Sequence, residues 1–196
     1  LFSFALPLLA IGAAFDAQNL DIGLFNQLGL PFWAEFILVI LILDFFIWLQ
    51  HLLTHKIQFL WRIHRVHHSD TEMDVSTAIR FHPIEIALSM ALKISLVYAL
   101  GADPLSVLIF EILLNGSSIF NHANINIPNR VDKIVRFLIV TPDMHRIHHS
   151  SDRIEHDTNF GFALSIWDHI FQTYKSRPER DHKAVSYTHL TLPTTR

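Results

Sequence analysis

Two stretches of this chain, Trp61–His68 (WRIHRVHH) and Met144–His149 (MHRIHH), carry the same cluster His-x-x-His-His, each with Arg directly after its first histidine. On a helix, positions i, i+3 and i+4 share one face, with Cβ atoms about 5–6 Å apart. The spacing therefore predicts that His64, His67 and His68 project together, and that His145, His148 and His149 do the same. His51 and His55 add an i, i+4 pair. Neutral imidazole ligates iron, zinc, copper or nickel. Crowded imidazoles are otherwise poor packing material, because each buried ring nitrogen needs a partner. Eight histidines in groups of two, three and three exceed what one tetrahedral zinc takes. They suit two metals, each with three or four nitrogens and an open position.

Other polar residues attach to this set. His122 is the candidate ninth ligand. His82 precedes Pro83 and reads as a ligand or as a helix-start residue. Asp44 shares a stripe with His51 and His55, and Glu111 shares one with Asn115, Ser118 and His122. A ligating imidazole usually donates its other N–H to a carboxylate or carbonyl, so Asp44 is expected to support the ligands from behind. For Glu111 two readings stand: the same support, or an ion pair with Lys93. His156 and His169 read as structural, and His182 as solvated.

The elements that must position these residues are strongly apolar. Of 196 residues, 51% are hydrophobic, and histidine (14) nearly equals lysine plus arginine (15). The net charge of −3 shows no nucleic-acid footprint. The absence of cysteine excludes disulfides, thiolate metal sites and cysteine nucleophiles. Crossing a bilayer takes about 20 apolar residues, and three segments qualify: Phe32–Gln50, Ile84–Leu100 and Leu105–Phe120. The GADP turn, Gly101–Pro104, folds the last two into an antiparallel pair. Basic residues fall between the first and second spans and after the third, which makes that side cytoplasmic. The candidate ligands fall on the same side. A soluble helical bundle is the competing reading, and a continuous apolar run of this length is hard to hide in so small a chain.

The expected architecture is all-α: an integral-membrane helical bundle with a cytoplasmic helical cap carrying a His-rich di-metal site. Residues 1–31 read as a truncated apolar segment, starting inside a span at Leu1–Phe15, followed by a non-cytoplasmic loop. Residues 32–177 read as the catalytic domain and 178–196 as a tail. Within the tail, Ser186–Arg196 (SYTHLTLPTTR) lacks helical periodicity and resembles non-native cloning sequence, which removes His189 from consideration.

The segments HLLTH (His51–His55), HRVHH and HRIHH resemble the histidine boxes of the fatty acid hydroxylase/sterol desaturase superfamily of integral-membrane di-iron enzymes. STAIRFHP (Ser76–Pro83), NHANINIP (Asn121–Pro128) and NFGFALSIWDHIFQTY (Asn159–Tyr174) are similar to further segments of that family. The resemblance covers about Asp44 to Tyr174. Its nearest branch holds bacterial sterol-desaturase-like proteins and alkylglycerol monooxygenases. It implies two iron ions bound mainly by His51, His55, His64, His67, His68, His145, His148 and His149, with His122 and His82 in matching additional positions. Those eight would then be the catalytic histidines. It also implies dioxygen as co-substrate, a lipid entering from the bilayer, and hydroxylation or desaturation of a C–H bond. Many relatives carry Arg where this chain has His169 and Gly where it has Gln172, departures that leave the boxes intact but bear on branch and substrate. With no G-x-G-x-x-G present, electrons are expected from a separate carrier protein, docked near Arg62, Arg65 or Arg146.

Three rivals remain. A membrane zinc protease fits poorly, because HLLTH has Leu where H-E-x-x-H needs its general base. A metal transporter would place histidines along a path near the midplane, not at one face. A catalytically inactive lipid-binding relative would keep the same boxes.

Overall fold

A computed structural model describes residues 7–70 and 73–178. The expected tail beyond 178, with Ser186–Arg196, His182 and His189, lies outside the described residues, as does Leu1–Leu6 of the first apolar segment. Among the described residues the regular structure is helical, apart from one isolated antiparallel bridge between Ile139 and Leu164. Four segments are long and apolar enough to cross a membrane: Pro7–Leu28, Phe32–Lys56, Pro83–Leu100 and Pro104–His122. The fold is an all-α integral-membrane one.

The first segment holds α1 (Pro7–Asn19) and α2 (Leu24–Leu28), so the region read as a loop is partly helical. Gly29 ends α2 with φ 59°, the left-handed stop that glycine adopts at least cost. α3 (Phe32–Lys56) continues past the expected end at Gln50 and carries His51 and His55 on the same helix. No Gly or Pro interrupts it before Ile57 turns extended. α4 is Gln58–His64; short 3-10 turns follow at His67–Ser69 and Val75–Ile79. Prolines start α5 (Pro83–Leu100) and α6 (Pro104–His122), where the missing N–H is no loss. α7 (Asn129–Val135), α8 (Pro142–His148), α9 (Arg153–His156) and α10 (Ile166–Ile170) complete the order.

The chain divides into two compact units, Leu1–Ile47 with Ile86–Asn115, and Trp48–Glu85 with Gly116–Arg196. In the first, the α1–α2 turn lies against the α5–α6 turn. A Cβ on Gly23 would stand 2.1 Å from the Gly101 nitrogen, so only glycine permits this approach. Asp103 caps α6 by accepting from Leu105 and Ser106 N–H, while Glu35 accepts from the Asp103 N–H at 2.8 Å. Deeper in the same unit, Lys93 donates to Glu111 at 2.5 Å, and both are buried. Asn115 donates a second bond to the same carboxylate. Of the two readings of Glu111, the ion pair with Lys93 is the one observed, so this acid is not aimed at an imidazole. Asp44 is buried on α3 in this unit.

In the second unit, two short helices and one 3-10 turn are capped by side chains. Thr141 caps α8, with Pro142 in the first turn, and its hydroxyl also donates to Asp132 at 2.6 Å. Asp152 caps α9. Asp74 and Thr77 form a reciprocal cap on the second 3-10 turn, and the Thr77 hydroxyl donates to Asp70 at 2.6 Å.

Candidate metal centre

Nine histidines of the second unit assemble into two groups. His51, His55, His64, His68 and His148 form one; His67, His122, His145 and His149 form the other. Within each group the candidate ligand atoms lie within 4.8 Å of one another. The groups adjoin, with the rings of His68 and His149 stacked at 4.3 Å.

The grouping cuts across the sequence clusters. His64 is the last residue of α4, while His67 and His68 sit in the 3-10 turn beyond it, so the three do not share one helical face. His67 joins the second group and stacks on Phe81 at 4.2 Å; His68 joins the first. On α8 the i, i+4 pair His145 and His149 belongs to the second group, and His148 points to the first. Consecutive residues diverge around a helix or turn, so each His-His dipeptide serves both groups.

The outer nitrogens are held by oxygen. His51 Nδ1 donates to the Phe160 carbonyl at 2.7 Å, His148 Nδ1 to the Thr158 carbonyl at 2.8 Å, and His64 Nδ1 to Glu85 Oε1 at 2.6 Å. A donating Nδ1 leaves Nε2 with its lone pair. The Nε2 atoms of His51, His64 and His148 are buried and find no hydrogen-bond partner among the described residues, as is true of both nitrogens of His55. Buried acceptors left this way are costly, and a cation among them removes the cost. This outer donor pattern is the one that metal-ligating histidines show.

In the second group, His122 Nδ1 donates to the Ser118 carbonyl at 2.7 Å. Its Nε2 lies 3.1–3.2 Å from the Nε2 atoms of His67, His145 and His149, and the last two are 3.1 Å apart. Ligands about 2.0–2.1 Å from a tetrahedral ion stand about 3.3 Å from one another. Four imidazole nitrogens at that separation fit a metal ion. Burial, reinforced by neighbouring imidazoles, holds His67, His68, His145, His148 and His149 well below the ordinary imidazole range, so these rings are neutral and ready to ligate.

The loop at 158–161 supplies two of the outer acceptors and is itself fixed. Asp168, fully buried, accepts from Trp48 Nε1 at 3.0 Å, Phe160 N–H at 2.9 Å, Gly161 N–H at 2.8 Å and the Thr173 hydroxyl at 2.6 Å. Burial still pushes its carboxyl upward. A Cβ on Gly161 would meet Leu164 O and Val140 Cγ2 at 2.8 Å, so the close approach needs glycine. Asn159, left-handed at φ 56°, donates to the Met144 and Lys175 carbonyls.

Some sequence-based expectations move. His82 is in neither group; its Nδ1 accepts from the Ile84 N–H at 3.2 Å, the helix-start role. His156 stacks on Trp61 at 5.4 Å, and burial lowers its pKa to about 4. His169 packs on Tyr174 at 4.1 Å. Glu85 and Asp168 were not singled out in the sequence. The signal for Glu85 was available: an acid in the first turn of α5, two residues after Pro83. It reads equally as a helix-dipole acid.

Comparison with known proteins places the chain in a family. The fatty acid hydroxylase family profile matches residues 36–173. Ornithine lipid hydroxylase OlsE of Rhizobium tropici is 30% identical over 159 residues, 81% of this chain and 47% of that protein. Human alkylglycerol monooxygenase is 26% identical over 142 residues, 70% of this chain and 30% of the relative. Human cholesterol 25-hydroxylase is 28% identical over 147 residues, 72% of this chain and 50% of its own length. The chain thus spans half or less of each of these relatives. No solved structure matches it. With the family's profile running through every histidine of both groups, this chain belongs to the fatty acid hydroxylase family.

Proposed function

We propose that this protein is a membrane-bound, dioxygen-dependent oxidoreductase that hydroxylates a C–H bond of a lipid, with two iron ions as its resident metals. One observation carries the reading: two adjoining groups of neutral, buried imidazoles whose outer nitrogens are held by oxygen acceptors, in a chain of a lipid-hydroxylating family. His51, His55, His64, His68 and His148 would hold one ion, and His67, His122, His145 and His149 the other. Iron there would supply oxygen activation and the oxidising power to break an unactivated C–H bond. Desaturation is the related outcome of removing a second hydrogen.

The chain's own residues have three tasks. The imidazole frame keeps the donors neutral and fixed. Phe160, fully buried, lies edge-on to His51, His55 and His148 at 5.3–5.7 Å and keeps water from the first group. The apolar helices admit a lipid from the bilayer. Asp44 stays in this reading as a buried acid on the helix that carries His51. In this reading the metal centre faces the cytoplasm, which the distribution of basic residues between the spans favours. There Arg62, Arg65 and Arg146 would receive a separate electron-carrying protein, which delivers the two electrons that reduce the second oxygen atom to water. The catalytic unit in this reading is 32–177.

A metal transporter predicts ligands strung through the spans, whereas the nine histidines converge in one unit. The test is metal analysis of the full chain purified in detergent, with lipid profiling of cells that carry or lack the gene. Two irons per chain and lipids that gain one oxygen atom support the reading. A single zinc, or an unchanged lipid profile with oxygen uptake absent in the presence of a reductase, overturns it.

A further inference from the structure

The outer surface of the second unit carries a patch of exposed apolar side chains. At the end of α7 a charged pair is buried: Asp132 and Arg136 form an ion pair and are 4% and 8% exposed, with Arg136 also donating to the Ser176 carbonyl at 2.7 Å. Large apolar side chains stand outward around it: Ile134 on the helix is 75% exposed, and Phe137 and Leu138 just beyond its end are 69% and 59% exposed. A surface facing only water rarely gathers such side chains into one patch. The patch does not stop at α7. The Ser165 N–H donates to the Leu138 carbonyl at 3.1 Å and the Val140 N–H to the Ala163 carbonyl at 3.0 Å, which brings α10 alongside with Ile166, Ile170 and Phe171 also exposed. Phe171 in turn stacks on Trp48 at 4.6 Å, and Trp48 belongs to α3, a membrane-spanning candidate. The patch is therefore joined, through Phe171, to a helix long and apolar enough to cross a membrane. Two cations, Arg130 and Lys133, are exposed on α7, and cations of this kind beside an apolar face suit headgroup phosphates.

We infer that the α7–α10 face, centred on Ile134, Phe137 and Ile170, is a lipid-contacting surface that inserts in the plane of the membrane interface, in addition to the spanning helices. A contiguous apolar patch of this kind marks a membrane or protein contact. Continuity with α3 and the flanking cations select lipid over a second copy of the chain. The inference stands apart from the proposed chemistry, since no residue of the patch belongs to either imidazole group.

The test uses the absence of native cysteine. Single cysteines at Ile134, Phe137, Leu138 and Ile170, and at exposed Ser151 as reference, are labelled with a nitroxide in the full chain reconstituted into phosphatidylcholine vesicles containing phosphatidylglycerol. Metal content equal to that of the parent identifies the folded variants, and four positions leave the test intact if one fails. The expected result is a severalfold higher ratio of oxygen to water-soluble nickel-chelate accessibility at the patch than at Ser151. Equal ratios overturn the inference. So does spin–spin broadening that disappears on dilution with unlabelled protein, which would assign the face to a second copy.

Discussion

Glu85 accepts the Nδ1–H of His64 at 2.6 Å, and both side chains are buried. This bond fixes the tautomer and the aim of one imidazole in the five-histidine group. Removing the acceptor leaves the ring free to rotate and makes it a weaker base. Glu85→Gln is expected to weaken metal binding about 10–100-fold, and Glu85→Ala at least as much. Competition with a chelator, followed by metal analysis, measures it; unchanged retention would show that the bond is incidental.

His122 and His82 were both candidate ligands, and the structure separates them. His122→Ala should lower the metal content from two per chain towards one, with membrane insertion intact. His82→Ala should leave the metal content unchanged and cost only its bond to the Ile84 N–H, about 0.5–2 kcal/mol for a lost helix-start contact. The same metal loss in both variants would contradict the grouping.

Asp168 acts on the imidazoles through the 158–161 loop. Asp168→Asn turns an amide donor towards groups that already donate, leaving at least one buried N–H unmatched at about 1–3 kcal/mol. Thermal unfolding should fall accordingly. Metal loss should be selective for the group containing His51 and His148, whose outer acceptors are Phe160 and Thr158. Equal loss from both groups would mean a general folding defect.

Lys93 and Glu111 test the interior of the first unit. Lys93→Met leaves Glu111 buried without its cation, a loss of about 3–5 kcal/mol, and adding Glu111→Gln should recover much of it. Denaturant titration in detergent reads both. A double variant no better than the single one would argue against a direct pair.

The pH dependence of the metal-free protein follows from the depressed imidazoles. His67, His68, His145, His148 and His149 stay neutral when folded at a pH where the unfolded chain protonates them, near 6.5. The unfolded state therefore binds more protons, and stability drops as pH falls below that value, continuing to about 4 where folded His156 also titrates. Unfolding at pH 7.5 and 5.5 with chelator present should show the acidic sample less stable. The reverse order would mean the rings are charged in the fold.

Much of this was legible in the chain. The three apolar spans follow from composition, and the ligand candidates from their spacing. Imidazoles that must cluster leave a side-chain signature. What was not legible lacks one. The partition into groups of five and four depends on α4 ending at His64, and that depends on how the turn at His67–Ser69 packs. Backbone carbonyls of Thr158 and Phe160 hold two rings, and a carbonyl is present at every residue. Glu111 carried two possible partners, and the α5–α6 hairpin chose Lys93.

The neighbouring pairs His67-His68 and His148-His149 each divide their rings between the two groups. A backbone movement at either dipeptide then reaches both groups at once, whereas truncation of a single ring such as His122 touches one group only. Variants that shift the chain at His67-His68 or His148-His149 should therefore disturb both positions together.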